Sequence, residues 1–167
     1  RQRQMCIRDS TNRERTKGMS ILTTIKEKGI TNRARQRTEA FNYLFDEVED
    51  SVTTAEFYLF EYKPKFRKRL DYWDRYPMVI IGDPTPDGFY GANLHYMEAK
   101  KRVNLAEKII NKNSPNIPKS LWHRYIIDKA DNLFFKIPES DVLEMAVLPL
   151  EQFYDSRNKF VSAKKVQ

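Results

Sequence analysis

The apolar residues are densest in residues 56–96, where their spacing is typical of β-strands. Over Glu56–Tyr62 successive side chains would point to opposite faces, and both faces are largely apolar, which predicts a strand covered on both sides. Strands over Met78–Ile81 and Phe89–Tyr96 would pair as an antiparallel hairpin, because the GDPTPDG segment between them has the composition of a turn. Asp71–Pro77 is interpreted as a turn that packs its aromatic residues against the sheet.

Helical spacing occurs on either side of this β-rich stretch. Residues 33–50 predict an amphipathic helix, since four apolar residues recur at i, i+3, i+4 and i+7 and would share one face. These four are Phe41, Leu44, Phe45 and Val48. Residues 97–112 predict a second helix and Lys119–Ala130 a third, because the two prolines of NSPNIP separate them. Two further strands are predicted over Leu133–Ile137 and Glu144–Leu148.

Together these elements predict a single globular domain of the α+β class over residues 33–155. Five short strands with an aromatic core favour a small SH3-like, partly open β-barrel. One N-terminal helix would lead into it, and two helices would be inserted between strands 3 and 4. An α+β sheet with its helices on one face is the alternative. No apolar run approaches the roughly 18 residues that a membrane span needs, so no membrane partner is expected.

The net charge of +7 is distributed unevenly along the chain. Residues 1–37 contain 11 Lys and Arg against 3 Asp and Glu, whereas residues 38–167 contain 19 against 20. We therefore predict a basic, disordered arm over residues 1–32 and a loosely held basic tail over residues 156–167. A basic arm of this kind either contacts phosphates or an acidic partner, or is simply a solvated terminus.

The first ten residues, RQRQMCIRDS, resemble translated adapter read-through from environmental sequencing. We leave them out of the fold reasoning for that reason. Residues 11–37 still contain 8 Lys and Arg against 2 Asp and Glu, so the basic character of the arm does not depend on them. Cys6, the only cysteine, lies within these ten residues and excludes an internal disulfide.

The chain offers little catalytic or metal-binding chemistry. Its two histidines, His95 and His123, are interpreted as a hydrogen-bonded strand residue and a helix residue. Because the chain has only these two histidines and one cysteine, a zinc site would need carboxylates to complete it. The sequence has no phosphate-binding glycine loop and no nucleophile elbow. We therefore predict no catalytic residues, no cofactor and no metal, and a protein that is not an enzyme. The segment KPKFRKR (63–69) stands out instead, because five cations in seven residues favour contact with phosphates or an acidic surface.

Three short segments resemble a family of small virion proteins from T4-like tailed phages. Their shared pattern is Y-x-P-K, then Y-[YW]-D-x-[FY]-P, then a hydrophobic strand, then G-F-x-G-x-N-x-H-Y. The residues that match it are Tyr62, Pro64, Lys65, Tyr72, Trp73, Asp74, Tyr76, Pro77, Gly88, Phe89, Gly91, Asn93, His95 and Tyr96. The resemblance covers roughly residues 56–165, and the centre of this range is the most specific part.

The resemblance implies a non-catalytic bacteriophage protein that binds the ends of packaged linear double-stranded DNA without reading sequence, and so shields them from exonuclease. It would be found in the virion, and in the host cytoplasm during assembly. The arm and the basic loop would contact phosphates, and Trp73 or Tyr72 would stack on an exposed terminal base. The phosphate contacts expected on this basis are Arg33, Arg35, Arg37, Lys63, Lys65, Arg67, Lys68 and Arg69. The alternative is a structural component of the neck, tail or baseplate that docks on other virion proteins.

Overall fold

The computed structural model describes residues 18–127 and 133–167, in which five helices and nine strands occur. The helices are α1 (Ile21–Glu27), α2 (Arg33–Tyr43), α3 (Ala99–Ile110), α4 (Val142–Val147) and α5 (Ala163–Val166). The strands are β1 (Val48–Glu49), β2 (Phe57–Phe60), β3 (Tyr72–Asp74), β4 (Met78–Thr85), β5 (Gly88–Asn93), β6 (Trp122–Ile126), β7 (Phe134–Ile137), β8 (Phe153–Asp155) and β9 (Phe160–Val161). Among the described residues, no helix combines the length and the apolar character needed to cross a membrane.

The strands form two antiparallel sheets. The larger has the order β1-β7-β2-β4-β5-β6, and the smaller has the order β3-β8-β9. The α+β prediction is therefore confirmed. The sheets do not form a closed barrel, however, and the predicted SH3-like barrel is not confirmed.

Strand β2 is central to the larger sheet and buried on both faces, as its sequence predicted. Phe57 and Leu59 pack in a cluster with the helices, whereas Tyr58 and Phe60 pack in an aromatic cluster on the opposite face. The Phe60 ring meets four other aromatic rings edge-on, with centroid separations of 5.2–6.3 Å. The densest aromatic packing thus lies on the face of the sheet opposite the helices.

The predicted disordered arm contains a helix. Ser20 begins α1 by accepting a hydrogen bond from the backbone N–H of Thr23, at 3.2 Å, and Ile21 and Ile25 are buried in the core. The prediction of disorder over residues 1–32 is therefore wrong for residues 21–27, because two buried isoleucines hold this segment to the domain. The remainder of that prediction, residues 1–17 including the ten that resemble adapter sequence, lies outside the described residues.

The leading helix α2 is confirmed but is shorter than predicted. The side chain of Asn32 accepts hydrogen bonds from the N–H groups of Ala34 and Arg35, which fixes the start of the helix. The helix ends at Tyr43, and its fully buried positions are Arg37 and Ala40. Leu44 is buried beyond that end, while Phe45 and Val48 are more than a third exposed, so the apolar face predicted over residues 33–50 is only partly correct.

Two predicted elements have the opposite secondary structure. Lys119–Ala130 was predicted as a helix, but residues 122–126 form strand β6, whose Tyr125 enters the aromatic cluster; residues 128–130 lie outside the described part. Glu144–Leu148 was predicted as a strand, but it lies in and just after helix α4, which packs on α3. Both segments are short and apolar enough to form either a helix or a strand. The residues against which they pack therefore determine which of the two forms.

None of the three strands of the smaller sheet was predicted. The Asp71–Pro77 segment, predicted as a turn, contains β3, which pairs with β8. The tail is ordered through β9 and α5, because Val161 is buried and the Gln167 side chain donates to the carbonyl oxygen of His95 at 2.9 Å. The prediction that residues 156–167 are loosely held is therefore wrong for this part of the tail.

A buried carboxylate joins the two sheets. Asp74 lies in β3, and its Oδ2 atom accepts from the Asn93 side chain at 3.2 Å and lies 2.7 Å from Nδ1 of His95. Its Oδ1 atom accepts from the backbone N–H groups of Tyr76 and Gln152. An ionised carboxylate can only accept hydrogen bonds, so Nδ1 of His95 carries the proton.

The four partners keep Asp74 ionised despite its burial. Burial alone would raise the pKa of this carboxyl group, but the nearby His95 and the hydrogen bonds lower the pKa below its ordinary value of 3.8. Asp74 and His95 are both almost inaccessible to solvent. The pair therefore acts as a structural link between β3 and the segment that follows β5.

The aromatic cluster yields a first prediction about stability. Replacing Phe60 with Ala should lower the free energy of unfolding by about 4 kcal/mol, because it leaves a cavity where four rings meet. Phe160→Ala is the matched control: this ring is 66% exposed and should cost no more than about 0.5 kcal/mol. Urea unfolding measures both, and equal losses in the two variants would contradict the packing described.

The buried carboxylate yields a second prediction. Asp74→Asn should destabilise the protein by about 3 kcal/mol near neutral pH, because an amide –NH2 would face groups that are all donors. The pKa of the Asp74 carboxyl group is lower in the folded protein than in the unfolded chain. Its contribution to stability is therefore present above the pKa of the unfolded state, and it is lost as the pH falls through the pKa of the folded state. The difference in the free energy of unfolding between the wild type and Asp74→Asn should therefore become smaller below about pH 4.

Unfolding monitored by circular dichroism between pH 3 and pH 7 measures this narrowing. Asp71→Asn serves as control, since Asp71 is exposed and lies only three residues away. A stability difference that stays constant over the whole range would show that the Asp74 charge does not contribute.

Candidate nucleic-acid interface

The basic loop, residues 63–69, projects from two buried anchors. Tyr62 and Pro64 are both buried, and the backbone N–H of Tyr62 donates to the carbonyl oxygen of Arg75 at 2.8 Å. The Tyr62 hydroxyl accepts from the backbone N–H of Ile126 in β6, at 3.3 Å. The base of the loop is thus fixed to the larger sheet, and the residues after Pro64 turn outward.

A short 3-10 turn over Arg67–Arg69 shapes the tip of the loop around Phe66. The N–H of Arg69 donates to the carbonyl oxygen of Phe66 at 3.0 Å, which closes the turn. Phe66 is 50% exposed, with Lys65 Nζ 6.0 Å and Arg69 Cζ 5.5 Å from its ring centroid. An exposed aromatic ring between cations is an arrangement that suits contact with nucleic acid.

The loop cations are not neutralised by any acid in the part of the chain that the structure describes. Within residues 18–127 and 133–167, none of the five has a carboxylate oxygen within the 4.0 Å of an ion pair. These five are Lys63, Lys65, Arg67, Lys68 and Arg69; Arg67 is half-buried and the others are exposed. Other exposed cations do pair, as Arg75 does with Glu61 at 2.7 Å. Five like charges held close together without acids form a surface that attracts anions.

Arg33 and Arg35 are exposed in the first turn of α2, as a phosphate contact would require. The described part of the chain shows no ion pair for either of them. No hydrogen bond or ring contact of the described residues joins them to the loop, so the two sets of cations form separate candidate contacts.

Arg37 was predicted as a phosphate contact, and that prediction is wrong. Its guanidinium is buried and donates from Nε to the carbonyl oxygen of Leu150 at 2.7 Å and from Nη2 to that of Glu151 at 3.3 Å. The group also stacks over the ring of Tyr76 at 4.4 Å. Arg37 thus joins α2 to the segment before β8, and its donors are not available to a ligand.

Trp73 was predicted to stack on a terminal base, and the structure contradicts this as well. Its indole is only 5% exposed and stacks on Tyr154 at a centroid separation of 4.9 Å. Tyr72, the other candidate, is half-buried and has the ammonium group of Lys165 6.0 Å from its ring. The exposed aromatic residue near the cations is Phe66, which the sequence analysis missed although it is the one aromatic residue within KPKFRKR.

The His95–Asp74 pair was also not foreseen from residue spacing. His95 is confirmed as a hydrogen-bonded residue, but it lies in a 3-10 turn over Leu94–Tyr96 and not in the predicted strand. Its remaining ring nitrogen, Nε2, is buried. His123, predicted on a helix, lies in β6 and stacks on Tyr96 at 4.5 Å. No group of three or more His, Cys, Asp or Glu among the described residues is arranged to hold a metal ion.

Comparison with known proteins identifies a family for this chain. Residues 9–120 match the family model of the Phage T4 terminal DNA protecting protein, a range that includes both the basic loop and the exposed arginines of α2. No curated protein and no solved structure matches the chain. Because the match covers well over half of the 167 residues, the chain belongs to the family of the Phage T4 terminal DNA protecting protein.

Proposed function

We propose that this protein binds the ends of linear double-stranded phage DNA and protects them by occupying them. The family membership supports a role at DNA termini. The observation that carries the proposal for this chain is the basic loop, whose five cations have no acidic partner in the described structure. Two of these cations, Lys65 and Arg69, lie close to the exposed ring of Phe66. Such a loop supplies attraction to phosphates without selecting a sequence.

The phosphate contacts proposed are the loop cations together with the exposed arginines of α2. They are Lys63, Lys65, Arg67, Lys68, Arg69, Arg33 and Arg35. Each phosphate neutralised releases condensed counterions, so binding would weaken steeply as the salt concentration rises. Phe66 would pack against a base or sugar that is accessible at the terminus. The segment before residue 18 would add further cations to the same electrostatic attraction.

Protection of this kind requires no chemical step. An exonuclease must reach the terminal nucleotide, so a protein that covers the terminus blocks degradation for as long as it stays bound. The protein would act in this way inside the virion, and in the host cytoplasm while particles assemble. A basic loop fixed to a rigid sheet suits this role, because little conformational freedom is lost on binding.

A second function is favoured by the apolar residues of the same loop. Phe66 is 50% exposed and Leu70 is 37% exposed, as in a surface that docks on another protein. In that case the loop would bind an acidic neighbour in the virion neck, tail or baseplate. The two functions differ in whether purified protein binds duplex DNA near physiological salt.

Charge reversal in the loop tests the proposal. The triple variant Lys65→Glu, Arg67→Glu, Arg69→Glu should bind short open-ended duplexes at least tenfold more weakly at about 150 mM salt. The slope of log affinity against log salt concentration should become shallower by roughly 0.9 for each phosphate that the variant no longer neutralises, or about 2.7 for three. Fluorescence anisotropy of a labelled duplex over a range of salt concentrations measures both quantities.

The matched control reverses three exposed cations elsewhere, as Arg157→Glu, Lys159→Glu, Lys164→Glu. It changes the net charge by the same amount as the loop variant. It should leave the slope nearly as in the wild type, because none of its three residues is a proposed phosphate contact. Equal slopes in the wild type and the loop variant would contradict the proposal. Absence of duplex binding by the wild type at this salt concentration would favour the docking function instead.

A further inference from the structure

A second basic surface lies away from the loop, in a groove of about 610 Å³ beside helix α3. One wall is α3, which contributes Lys101, Asn104 and Lys108, and the other is the irregular segment after the helix, which contributes Asn113 and Asn116. The apolar surface between them comes from Met97, Leu105, Pro115 and Pro118. The volume is within the range of small-molecule sites, roughly 300–1,000 Å³.

The polar groups of the groove point to an anionic ligand that also carries hydrogen-bonding groups. Lys101, Asn104 and Lys108 follow one another at i, i+3 and i+7, so they share one face of α3. No Asp or Glu lines the groove, and neither lysine has an ion pair within the described residues. Two uncompensated ammonium groups attract a phosphate. The asparagine amides both donate and accept, as recognition of a base edge requires.

The wall opposite the helix is held in a fixed conformation. Lys112 and Ser114 have positive φ angles of 56° and 42°, which non-glycine residues seldom adopt. The N–H of Asn113 donates to the carbonyl oxygen of Lys108 at 3.0 Å, and this bond ties the wall to the last turn of α3. Pro115 and Pro118 further restrict the backbone. The groove therefore exists before any ligand binds, which lowers the entropic cost of binding.

We propose that this groove binds the terminal nucleotide of a DNA strand. Lys101 and Lys108 hold its phosphate, the asparagine amides contact the base, and the apolar surface packs against the base and sugar. The proposal rests on the proposed function, and it gives the protein a contact that distinguishes an end from the interior of a duplex. A nucleotide within a continuous helix is stacked on both sides and joined to two neighbours, so it cannot enter a site of this size.

The decisive measurement compares open and closed DNA. The variant Lys101→Gln, Lys108→Gln should bind an open-ended duplex with 5′-phosphates about tenfold more weakly than the wild type does. Its affinity for a dumbbell duplex, whose ends are closed by hairpins, should not change. The matched control is Lys100→Gln, Lys119→Gln, which removes two exposed charges from the same region outside the groove lining and should leave both affinities unchanged.

A direct measurement keeps the groove separate from the end-binding function. Deoxyadenosine monophosphate titrated into the wild-type protein should shift the side-chain amide resonances of Asn104, Asn113 and Asn116 in NMR spectra, and Lys101→Gln, Lys108→Gln should abolish those shifts. Equal shifts with inorganic phosphate alone, or with an acidic peptide, would overturn the nucleotide assignment. Absence of shifts at millimolar nucleotide would overturn the site itself.

The two measurements separate the possible failures. If the wild type fails to prefer open ends over dumbbells, the proposed function fails, while the nucleotide titration still decides the groove. If the wild type prefers open ends and Lys101→Gln, Lys108→Gln retains that preference in full, the groove proposal fails and the proposed function stands. Circular dichroism and thermal unfolding confirm that the glutamine variants are folded, which is expected because all four lysines are exposed.

Discussion

The fold depends on the buried carboxylate of Asp74. It accepts four hydrogen bonds from the protein, because it is almost inaccessible to water. Taking an aspartate out of water costs several kcal/mol unless donors replace the water, and Asp74 obtains those donors from three different parts of the chain. They are the turn that follows β3, the segment that begins at the end of β5, and the segment that precedes β8. Satisfying this one group therefore fixes the smaller sheet against the larger one. It also fixes the position of β3, which closely follows the basic loop.

Two buried arginines apply the same principle in the same part of the domain. Arg37 donates to the carbonyl oxygens of Leu150 and Glu151, and Arg102 donates to those of Ala146, Leu148 and Met97. Arg102 also lies 3.5 Å from the carboxylate of Glu151. The segment from α4 to β8 is thus held by guanidinium groups that satisfy its free carbonyl oxygens. A count of basic residues consequently overstates the positive charge that this protein has at its surface.

Sequence periodicity was a good guide where an element is decided locally. Strand β2 has apolar residues on both faces, and α2 begins at residue 33, so these two were predicted correctly. The β4–β5 hairpin was also predicted, but its turn is shorter than residues 82–88, because β4 extends to Thr85 and β5 begins at Gly88. Sequence periodicity failed where contacts between distant residues determine the secondary structure. Strand β6 contributes Tyr125 to the aromatic cluster, and α4 packs on α3. The same reason explains the two errors at the site. Arg37 and Trp73 have the residue types of DNA contacts, but only the three-dimensional packing reveals that Leu150 and Tyr154 already occupy them.

The two basic surfaces differ in what they can contribute to recognition of an end. A phosphate looks the same in the interior of a duplex as near its terminus, so the loop cations would supply affinity and rapid association but no preference for an end. A preference for an end has to come from contact with a group that is accessible only there. Two such groups are the outer face of the last base and the terminus of a strand. Phe66 is placed for the first of these, because its ring is exposed among the cations that would hold the backbone. The proposed nucleotide site beside α3 would serve the second, since a nucleotide that has left the stack could reach its amides. An end-binding protein built in this way needs both surfaces, because the electrostatic attraction alone would distribute it along the whole length of the DNA.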